Sequence, residues 1–366
     1  MASMKRDKIV NMLETTLRKN MGMWYVLLRK AKKNPEQFFM ELSCKVLQDS
    51  EYDVYFRLKT KTFETAEQFV YTQPVSRFAI VMQGPIRTES NYTANVAAYY
   101  RELYPTSIVV VSTWEDEPQE AIESVRKTGA EIVLSAKPVY SGHLNLNYQI
   151  VNSYAGIRYA AKRGAQYIAK TRTDQCLRKA HAFEYMLSLL ETFPTATPYK
   201  QKTRLIAMSI NYGNMFYPYF MSDFFYFGAA EEMLKLFGIP LDGRQKFSMP
   251  ANSTRREYSD SMYAPEVYLM KHYLMAIGCK GDGTVQDYWE AVKKSLICID
   301  MKSVDLDWPK YNGKYSLHSF YGDFFWDDMP EKKKTVNFDF VNWLNLYTGV
   351  LKYCPELEKY ADIVFR

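Results

Sequence analysis

The stretch "RFAIVMQGP" at residues 77–85 begins the pattern that decides the fold. It is a short apolar run that Gly84 and Pro85 bring to an end. Three similar runs follow, "TSIVVVSTWE" at 106–115, "AEIVLSA" at 130–136 and "QYIAKTRTD" at 166–174. Stretches with helical spacing lie between them, at about 92–103, 118–128 and 145–163. This alternation predicts βαβ units and a parallel sheet, and continuous apolar strands are typical of a sheet covered on both faces.

The pattern weakens beyond residue 200 but does not disappear. "TRLIAMSI" (203–210) and "DFFYFGAA" (223–230) predict further strands, and 229–237 and 265–277 predict helices, whereas the chain from residue 280 onward has no clear period. We therefore predict an α/β fold with a mostly parallel sheet flanked by helices over residues 78–366. The regularly patterned half would span 78–230 and the irregular half 231–366.

The N-terminal residues 1–77 differ from the rest of the chain in charge. Residues 1–33 contain nine Lys or Arg and two acidic residues, a net charge of +7, so the rest of the chain sums to −1 within a total of +6. Apolar residues recur at helical spacing over 5–31 among these cations, which predicts a basic amphipathic helix. Such a helix either lies on an anionic membrane surface or packs its apolar stripe on the protein body. Because the basic charge is confined to this arm, a nucleic-acid partner is not expected.

Composition and missing motifs exclude several classes. The five Cys form no C-x-x-C pair, and the four His form no H-E-x-x-H motif, which argues against zinc sites of those types. No apolar run is long enough to span a membrane, and the charged N-terminus lacks the apolar core of a signal peptide, so we expect a cytoplasmic protein. No G-x-G-x-x-G follows the first strand, which counts against a nicotinamide-dependent oxidoreductase.

The fourth apolar run, unlike the others, finishes on charge. In a strand, Lys170, Arg172 and Asp174 of "YIAKTRTDQC" share one side, and buried charges need partners. One interpretation is structural, an internal Arg172–Asp174 pair or a helix cap by Asp174. The other is a diphosphate site, since Lys and Arg bind phosphate oxygens and one Asp can hold a divalent ion.

Polar residues follow the other strand ends as well, and in open α/β sheets ligands bind at the carboxyl ends of strands. We therefore expect these residues to converge. They are Gln83, Gly84 and Arg87 after the first strand, Thr113, Trp114 and Glu115 after the second, and Thr173 and Asp174 after the fourth.

Several blocks, "FAIVMQGPI", "YPTSIVVVSTWEDE", "NLNYQIVNSYAGIRYAAKRGAQYIAKTRTDQ" and "SDFFYFG", together resemble the WavE family of lipopolysaccharide and capsule biosynthesis proteins, over about residues 78–228. The resemblance implies a GT-A-like, Rossmann-type fold and a glycosyltransferase that uses a nucleotide sugar, with a UDP-sugar favoured. The acceptor would be a glycan, lipid-linked, and the enzyme would be peripheral on the inner face of the membrane.

The resemblance also implies roles for particular positions. GT-A enzymes carry Asp-x-Asp at the end of the fourth strand, where it binds Mn²⁺ or Mg²⁺ and the donor diphosphate. Here the slot reads Arg172-Thr173-Asp174, so Asp174 is the candidate metal ligand and the metal requirement stays open. The predicted donor-binding residues are Gln83, Gly84, Arg87, Thr113, Trp114, Glu115, Asn145, Asn147, Gln149, Lys170, Arg172, Thr173 and Asp174. Asn145 is equally explained as a helix cap.

An inverting transferase needs a carboxylate to take the proton of the acceptor hydroxyl. We predict Glu266 in "SMYAPEVYL" as this base and Asp223 in "YFMSDFFYFG" as an acceptor or donor contact. Glu266 also fits an ordinary acidic residue in the first turn of a helix. A non-catalytic sugar- or lipid-binding protein of the same fold remains the alternative, because a fold alone does not establish catalysis.

Overall fold

The computed structural model describes residues 2–30, 35, 38–39, 41–42, 77–195, 199–209, 214–244, 247–309 and 338–364. The chain divides into two compact units, Met1–Thr62 and Phe63–Arg366. The first contains helix α1 (Ala2–Lys30), which confirms the helix predicted over 5–31. The rest of the N-terminal region up to residue 77, which we interpret from its irregular sequence as a connector, lies mostly outside the described residues. No helix in the described part of the chain is both long and apolar enough to cross a membrane.

The second unit is organised around a seven-stranded sheet with the order β3-β2-β1-β4-β7-β6-β8. β7 runs antiparallel to both of its neighbours, β4 and β6, while the other pairs are parallel. β5 and β9 form a separate antiparallel pair. The strands are β1 (Phe78–Gln83), β2 (Ile108–Trp114), β3 (Glu131–Ser135), β4 (Tyr167–Arg172), β5 (Cys176–Leu177), β6 (Leu205–Ser209), β7 (Tyr226–Ala229), β8 (Leu296–Asp300) and β9 (Leu306–Asp307).

Helices cover this sheet. The described ones in the second unit are α2 (Tyr92–Leu103), α3 (Gln119–Arg126), α4 (Leu146–Lys162), α5 (Ala182–Thr192), α6 (Ala230–Phe237), α7 (Arg255–Asp260), α8 (Pro265–Ile277), α9 (Val285–Ser295) and α10 (Phe340–Thr348). α4 packs on β1, β2 and β3, whereas α9 and α10 pack on β8. Gly156 permits the close approach of α4, because a Cβ atom there would come within 2.5 Å of Val81 Cγ1 and 2.8 Å of Ser112 Cβ.

The burial pattern explains why the first strands read as continuous apolar runs. Every residue of β1 is buried, and so are all residues of β2 after Ile108. A strand buried on both faces has no solvent side on which polar residues would alternate. The predicted α/β class and mostly parallel sheet are therefore confirmed. The weakly patterned C-terminal part adds α9 and β8, and β8 pairs in parallel with β6 at the far edge.

Candidate active site

The carboxyl ends of β1, β2 and β4 meet at one edge of the sheet. The last residue of β1, Gln83, is in register with Ser112 of β2 on one side and with Arg172 of β4 on the other. The side-chain oxygen of Gln83 is buried and has no hydrogen-bond partner among the residues that the structure describes. A buried polar atom without a partner is uncommon in native structures, so this atom is a candidate ligand contact.

Hydrogen bonds join the loop after β1 to the loop after β4. The Thr93 hydroxyl accepts from the Arg87 amide at 2.8 Å and donates to the Thr173 carbonyl oxygen at 2.9 Å. The Thr173 hydroxyl in turn donates to the Pro85 carbonyl oxygen at 2.6 Å. The backbones of Arg87 and Thr173 are therefore close together, as predicted from the strand ends. Most polar atoms of Thr173 are already hydrogen-bonded within the protein.

Asn152, on the buried side of α4, joins the ends of β1 and β2. Its side-chain oxygen accepts from the Gly84 amide at 3.1 Å, and its side-chain amide donates to the Thr113 carbonyl oxygen at 2.9 Å. Gly84 has a φ of +127°, and a Cβ atom there would lie 3.0 Å from the Thr173 hydroxyl. The turn at Gly84 thus needs both a glycine and the Asn152 amide. Sequence reasoning missed Asn152, for which a polar residue within an apolar helix stripe was the signal.

Glu117, which was not predicted as a site residue, joins the end of β2 to the loop after β1. One of its carboxylate oxygens accepts from the Thr113 hydroxyl at 2.7 Å and from the Ile86 amide at 3.0 Å. The Thr113 hydroxyl is therefore engaged within the protein. Trp114 is buried with its ring edge-to-face on Tyr148 at 5.3 Å, whereas Glu115 is exposed to solvent.

Arg172 and Asp174 form a two-point ion pair at the end of β4. Arg172 Nε and Nη2 lie 2.9 Å and 3.1 Å from the two carboxylate oxygens of Asp174. The guanidinium carbon lies 5.5 Å from the centre of the Trp308 ring, which itself packs on Phe224 at 5.1 Å. Trp308, which follows β9, was not predicted because it belongs to the stretch without a clear period. The internal pair considered from the sequence is thus present at this edge.

Lys170, two residues before Arg172 in β4, is completely buried. Its amine donates to the Asp223 carbonyl oxygen at 2.8 Å and lies 3.5 Å from the Phe224 carbonyl oxygen. Burial is the main effect and lowers the pKa of Lys170 to about 7. A buried amine bonded to main-chain carbonyls holds the loop before β7, so its observed contacts differ from the phosphate contact predicted for it.

The three polar residues predicted at the start of α4 lie in different environments. Gln149 is buried and its amide donates to the Asp223 carbonyl oxygen at 3.0 Å. Asn147 is also buried, and its side chain bonds both the carbonyl oxygen and the amide of Asp242, at 2.8 Å and 2.7 Å. Asn145 is exposed at the N-cap position with a φ of 65°, and its side chain makes no capping hydrogen bond. Of the three, only Gln149 contacts the segment that carries Asp223.

Glu266 and Asp223 form the acidic part of the site. Glu266 lies in the first turn of α8 after Pro265, and Asp223 lies in the loop before β7. Desolvation by burial, followed by repulsion from Asp223, raises the pKa of Glu266 to about 8. A helix N-terminus would stabilise the carboxylate and lower its pKa. The environment of Glu266 therefore outweighs the helix dipole, and a carboxyl group of raised pKa in such a position is a candidate functional group.

The residues around Asp174 do not suit a divalent cation. Both carboxylate oxygens of Asp174 already accept from the Arg172 guanidinium, which would repel a second cation. Within the described residues, no group of three or more His, Cys, Asp and Glu side chains is arranged to hold a metal ion. As a histidine late in the sequence, His318 is either a surface or core residue or a metal or phosphate ligand, and it lies outside the described residues.

Comparison with known proteins places the chain in a family. The model of the WavE lipopolysaccharide synthesis family matches residues 78–362, so the chain belongs to this family. None of the curated proteins compared with the chain matches it. Among solved structures, it is similar to glucosyl-3-phosphoglycerate synthase from Mycobacterium tuberculosis in complex with phosphoglyceric acid. The identity is 12% and the TM-score 0.29, over 57% of this chain and 82% of that chain.

Proposed function

We propose that this chain is a glycosyltransferase that moves a sugar from a nucleotide-sugar donor to a glycan acceptor during lipopolysaccharide synthesis. The observation that carries the proposal is the Glu266 carboxyl group, whose pKa is raised to about 8 by burial and by Asp223, a residue whose carbonyl oxygen accepts from Lys170 of β4. Membership of a lipopolysaccharide synthesis family supports it, because joining sugars is the central reaction of such a process.

The proposed reaction assigns one role to each acidic residue. The acceptor hydroxyl oxygen attacks the anomeric carbon of the donor, and the bond from that carbon to the diphosphate oxygen breaks. The Glu266 carboxylate takes the hydroxyl proton, and the nucleoside diphosphate leaves with the bonding electrons. A base with a pKa near the working pH is well matched to this step. Asp223 would contact acceptor or donor hydroxyls.

The donor would bind at the common edge of β1, β2 and β4. The contact best supported by its surroundings is the buried Gln83 oxygen, which has no hydrogen-bond partner within the described part of the chain. The Arg87 side chain, which pairs with Glu89 at 3.3 Å, would be a further contact. The side chains of Thr113, Asn147 and Lys170 serve the protein itself, so in this proposal they shape the site instead of contacting the donor. A UDP-sugar remains the favoured donor and a lipid-linked glycan the favoured acceptor.

Helix α1 would bind the enzyme to an anionic membrane surface. Leu17 and Trp24 of its apolar stripe are 62% and 55% exposed, and Arg18, Lys19, Arg29 and Lys30 are exposed on the same helix. Exposed apolar side chains with neighbouring cations are typical of an interfacial helix. A cytoplasmic, peripheral position at the inner face of the membrane completes this proposal.

The proposal is tested by an assay of sugar transfer, after a screen that identifies the nucleotide-sugar donor. Purified protein is screened by thermal shift with UDP-, GDP-, CMP- and dTDP-sugars and with NAD, because a ligand that binds only the folded state raises the melting temperature. The nucleotide sugar that binds is then supplied with acceptor glycolipid, and release of the nucleoside diphosphate is measured. We expect acceptor-dependent release that Glu266→Gln abolishes. Binding without release in any acceptor mixture would favour a non-catalytic binding protein, and stabilisation by NAD alone would favour an oxidoreductase.

A further inference from the structure

The end of β4 carries a guanidinium group where the fold resemblance implies a metal ion. The Arg172 guanidinium makes two bonds to Asp174, and its carbon lies 5.5 Å from the Trp308 ring centre. Its side chain is 27% exposed, compared with 12% for Asp174, so the cation is the more accessible member of the pair. Arginine held in this way binds phosphate oxygens with little further loss of conformational freedom.

A second arginine, Arg87, lies in the loop after β1, where its side chain pairs with Glu89 at 3.3 Å. The Arg87 amide and the Thr173 carbonyl oxygen share the Thr93 hydroxyl, at 2.8 Å and 2.9 Å. The Arg87 guanidinium lies 5.8 Å from the centre of the Tyr92 ring, and the Tyr92 hydroxyl bonds Asp307, the residue before Trp308. The two guanidinium groups therefore belong to loops that are bonded together, at the edge where the donor is proposed to bind.

We propose that Arg172, oriented by Asp174 and Trp308 and assisted by Arg87, binds the donor diphosphate directly and takes the place of a divalent cation, so that donor binding is independent of metal. This inference rests on the proposed function. In it, Asp174 is a positioning residue and not a metal ligand. Two oxygens that already accept from a guanidinium are poor ligands for a cation.

The assignment predicts different consequences for the two members of the pair. Loss of Arg172 removes the charge that binds phosphate, whereas loss of the Asp174 charge only loosens its orientation. Trp308 orients the Arg172 guanidinium through its ring face. Trp308→Phe, which keeps an aromatic ring, should therefore preserve the orientation of Arg172, and Trp308→Leu should lose it. A metal site predicts the reverse order, with Asp174 essential and Arg172 dispensable.

The experiment measures binding of UDP, GDP and inorganic pyrophosphate by calorimetry, each in EDTA and in Mg²⁺ or Mn²⁺. The full-length proteins are wild type, Arg172→Ala, Arg172→Lys, Asp174→Asn, Trp308→Phe and Trp308→Leu, with Arg126→Ala as the control for loss of one exposed cation distant from β4. Circular dichroism melting of each variant separates loss of binding from loss of folding.

We expect at least one of these diphosphates to bind wild type equally in EDTA and in metal. Arg172→Ala should weaken it by about 10- to 100-fold, consistent with the loss of charge-assisted hydrogen bonds. The diphosphate affinity of Arg172→Lys should lie between those of wild type and Arg172→Ala. Asp174→Asn should lose less affinity than Arg172→Ala, and Arg126→Ala should leave the affinity unchanged. Binding that requires metal and disappears in Asp174→Asn would overturn the inference, and so would a complete lack of diphosphate binding. In either case, acceptor-dependent sugar transfer by the wild type would show that the proposed function still holds.

Discussion

The amine of Lys170 lies 2.8 Å from the main-chain carbonyl oxygen of Asp223, and this bond joins the centre of β4 to the loop that carries the acidic part of the site. Gln149 donates to the same carbonyl oxygen at 3.0 Å from α4. The side chain of Asp223 is therefore positioned by two buried donors that contact its backbone. This arrangement places one carboxylate beside Glu266, and their repulsion contributes to the raised pKa of Glu266.

Replacing Lys170 by Met should reduce turnover and stability but leave diphosphate affinity nearly unchanged. The change leaves the Asp223 and Phe224 carbonyl oxygens without this donor, and an unsatisfied buried acceptor costs about 1–3 kcal/mol. If Lys170 contacted phosphate, the same variant would instead lose affinity for pyrophosphate. Urea unfolding and pyrophosphate titration, performed on the same preparations, distinguish the two roles.

The pKa of Lys170 predicts a pH dependence for this stability difference. The pKa of Lys170 is lowered in the folded protein to about 7 from the usual lysine value of 10.5. Between these two pH values the folded protein therefore binds fewer protons than the unfolded chain. Wild-type stability should therefore gain a contribution as pH rises from about 7 to 10, and Lys170→Met should lack it. Unfolding curves at pH 6.5 and 9.5 measure it, and a difference between the proteins that stays constant with pH would contradict the buried, lowered-pKa environment.

Replacing Glu266 by Gln should lower the turnover number by about 100- to 10,000-fold with little change in donor affinity, since a general base acts in the chemical step. In the wild type the rate should rise with pH up to about 8, because only the ionised carboxylate accepts the proton. Glu231→Gln is the matched control, because Glu231 also lies in the first turn of a helix but is exposed. Equal activity of the two variants would mean that Glu266 is only a first-turn acid.

Glu266→Gln should also stabilise the protein at alkaline pH. The pKa of Glu266 is about 8 in the folded protein, above the usual glutamate value of 4.5. Between these two pH values the folded protein therefore keeps a proton that the unfolded chain has lost. Wild-type stability therefore decreases as pH rises through this window, and a permanently neutral amide avoids the loss. The melting temperature of the variant should match the wild type near pH 4.5 and exceed it above pH 8. A variant that melts earlier at every pH would contradict this prediction.

Asn152→Ala should loosen the donor edge of the sheet. It removes one of the two acceptors of the Gly84 amide, which also donates to the Ser112 carbonyl oxygen at 3.1 Å, and it removes the donor to the Thr113 carbonyl oxygen. We expect a loss of about 2–4 kcal/mol of stability, from two broken hydrogen bonds and a small cavity. Urea unfolding of the variant and of the wild type measures the loss, and an unchanged free energy of unfolding in Asn152→Ala would contradict the assigned role.

The fold was predictable because its signals are local, whereas much of the site was not. β1, β2 and β4 are continuous apolar runs because they are buried on both faces, and their carboxyl ends necessarily share an edge. The contacts that complete this edge connect distant parts of the chain. Asn152 bonds Gly84 from 68 residues away, and no spacing in the sequence indicates that bond. Trp308 reaches Arg172 from a stretch without periodicity, so only the folded structure reveals its position.

The cations of α1 should control binding to anionic vesicles. Arg18 and Lys19 are both exposed, and each basic residue near an anionic surface contributes about 1 kcal/mol. Replacing both by Gln should therefore weaken binding to phosphatidylglycerol vesicles by about 10- to 30-fold, and salt should reduce wild-type binding in the same direction.

Arg126→Gln with Lys127→Gln removes two exposed cations from α3 and the residue after it, and it should leave vesicle binding unchanged. Trp24→Ala should weaken binding through lost apolar contact even in high salt. Equal losses in the two double variants would mean that vesicle binding follows net charge and does not require α1.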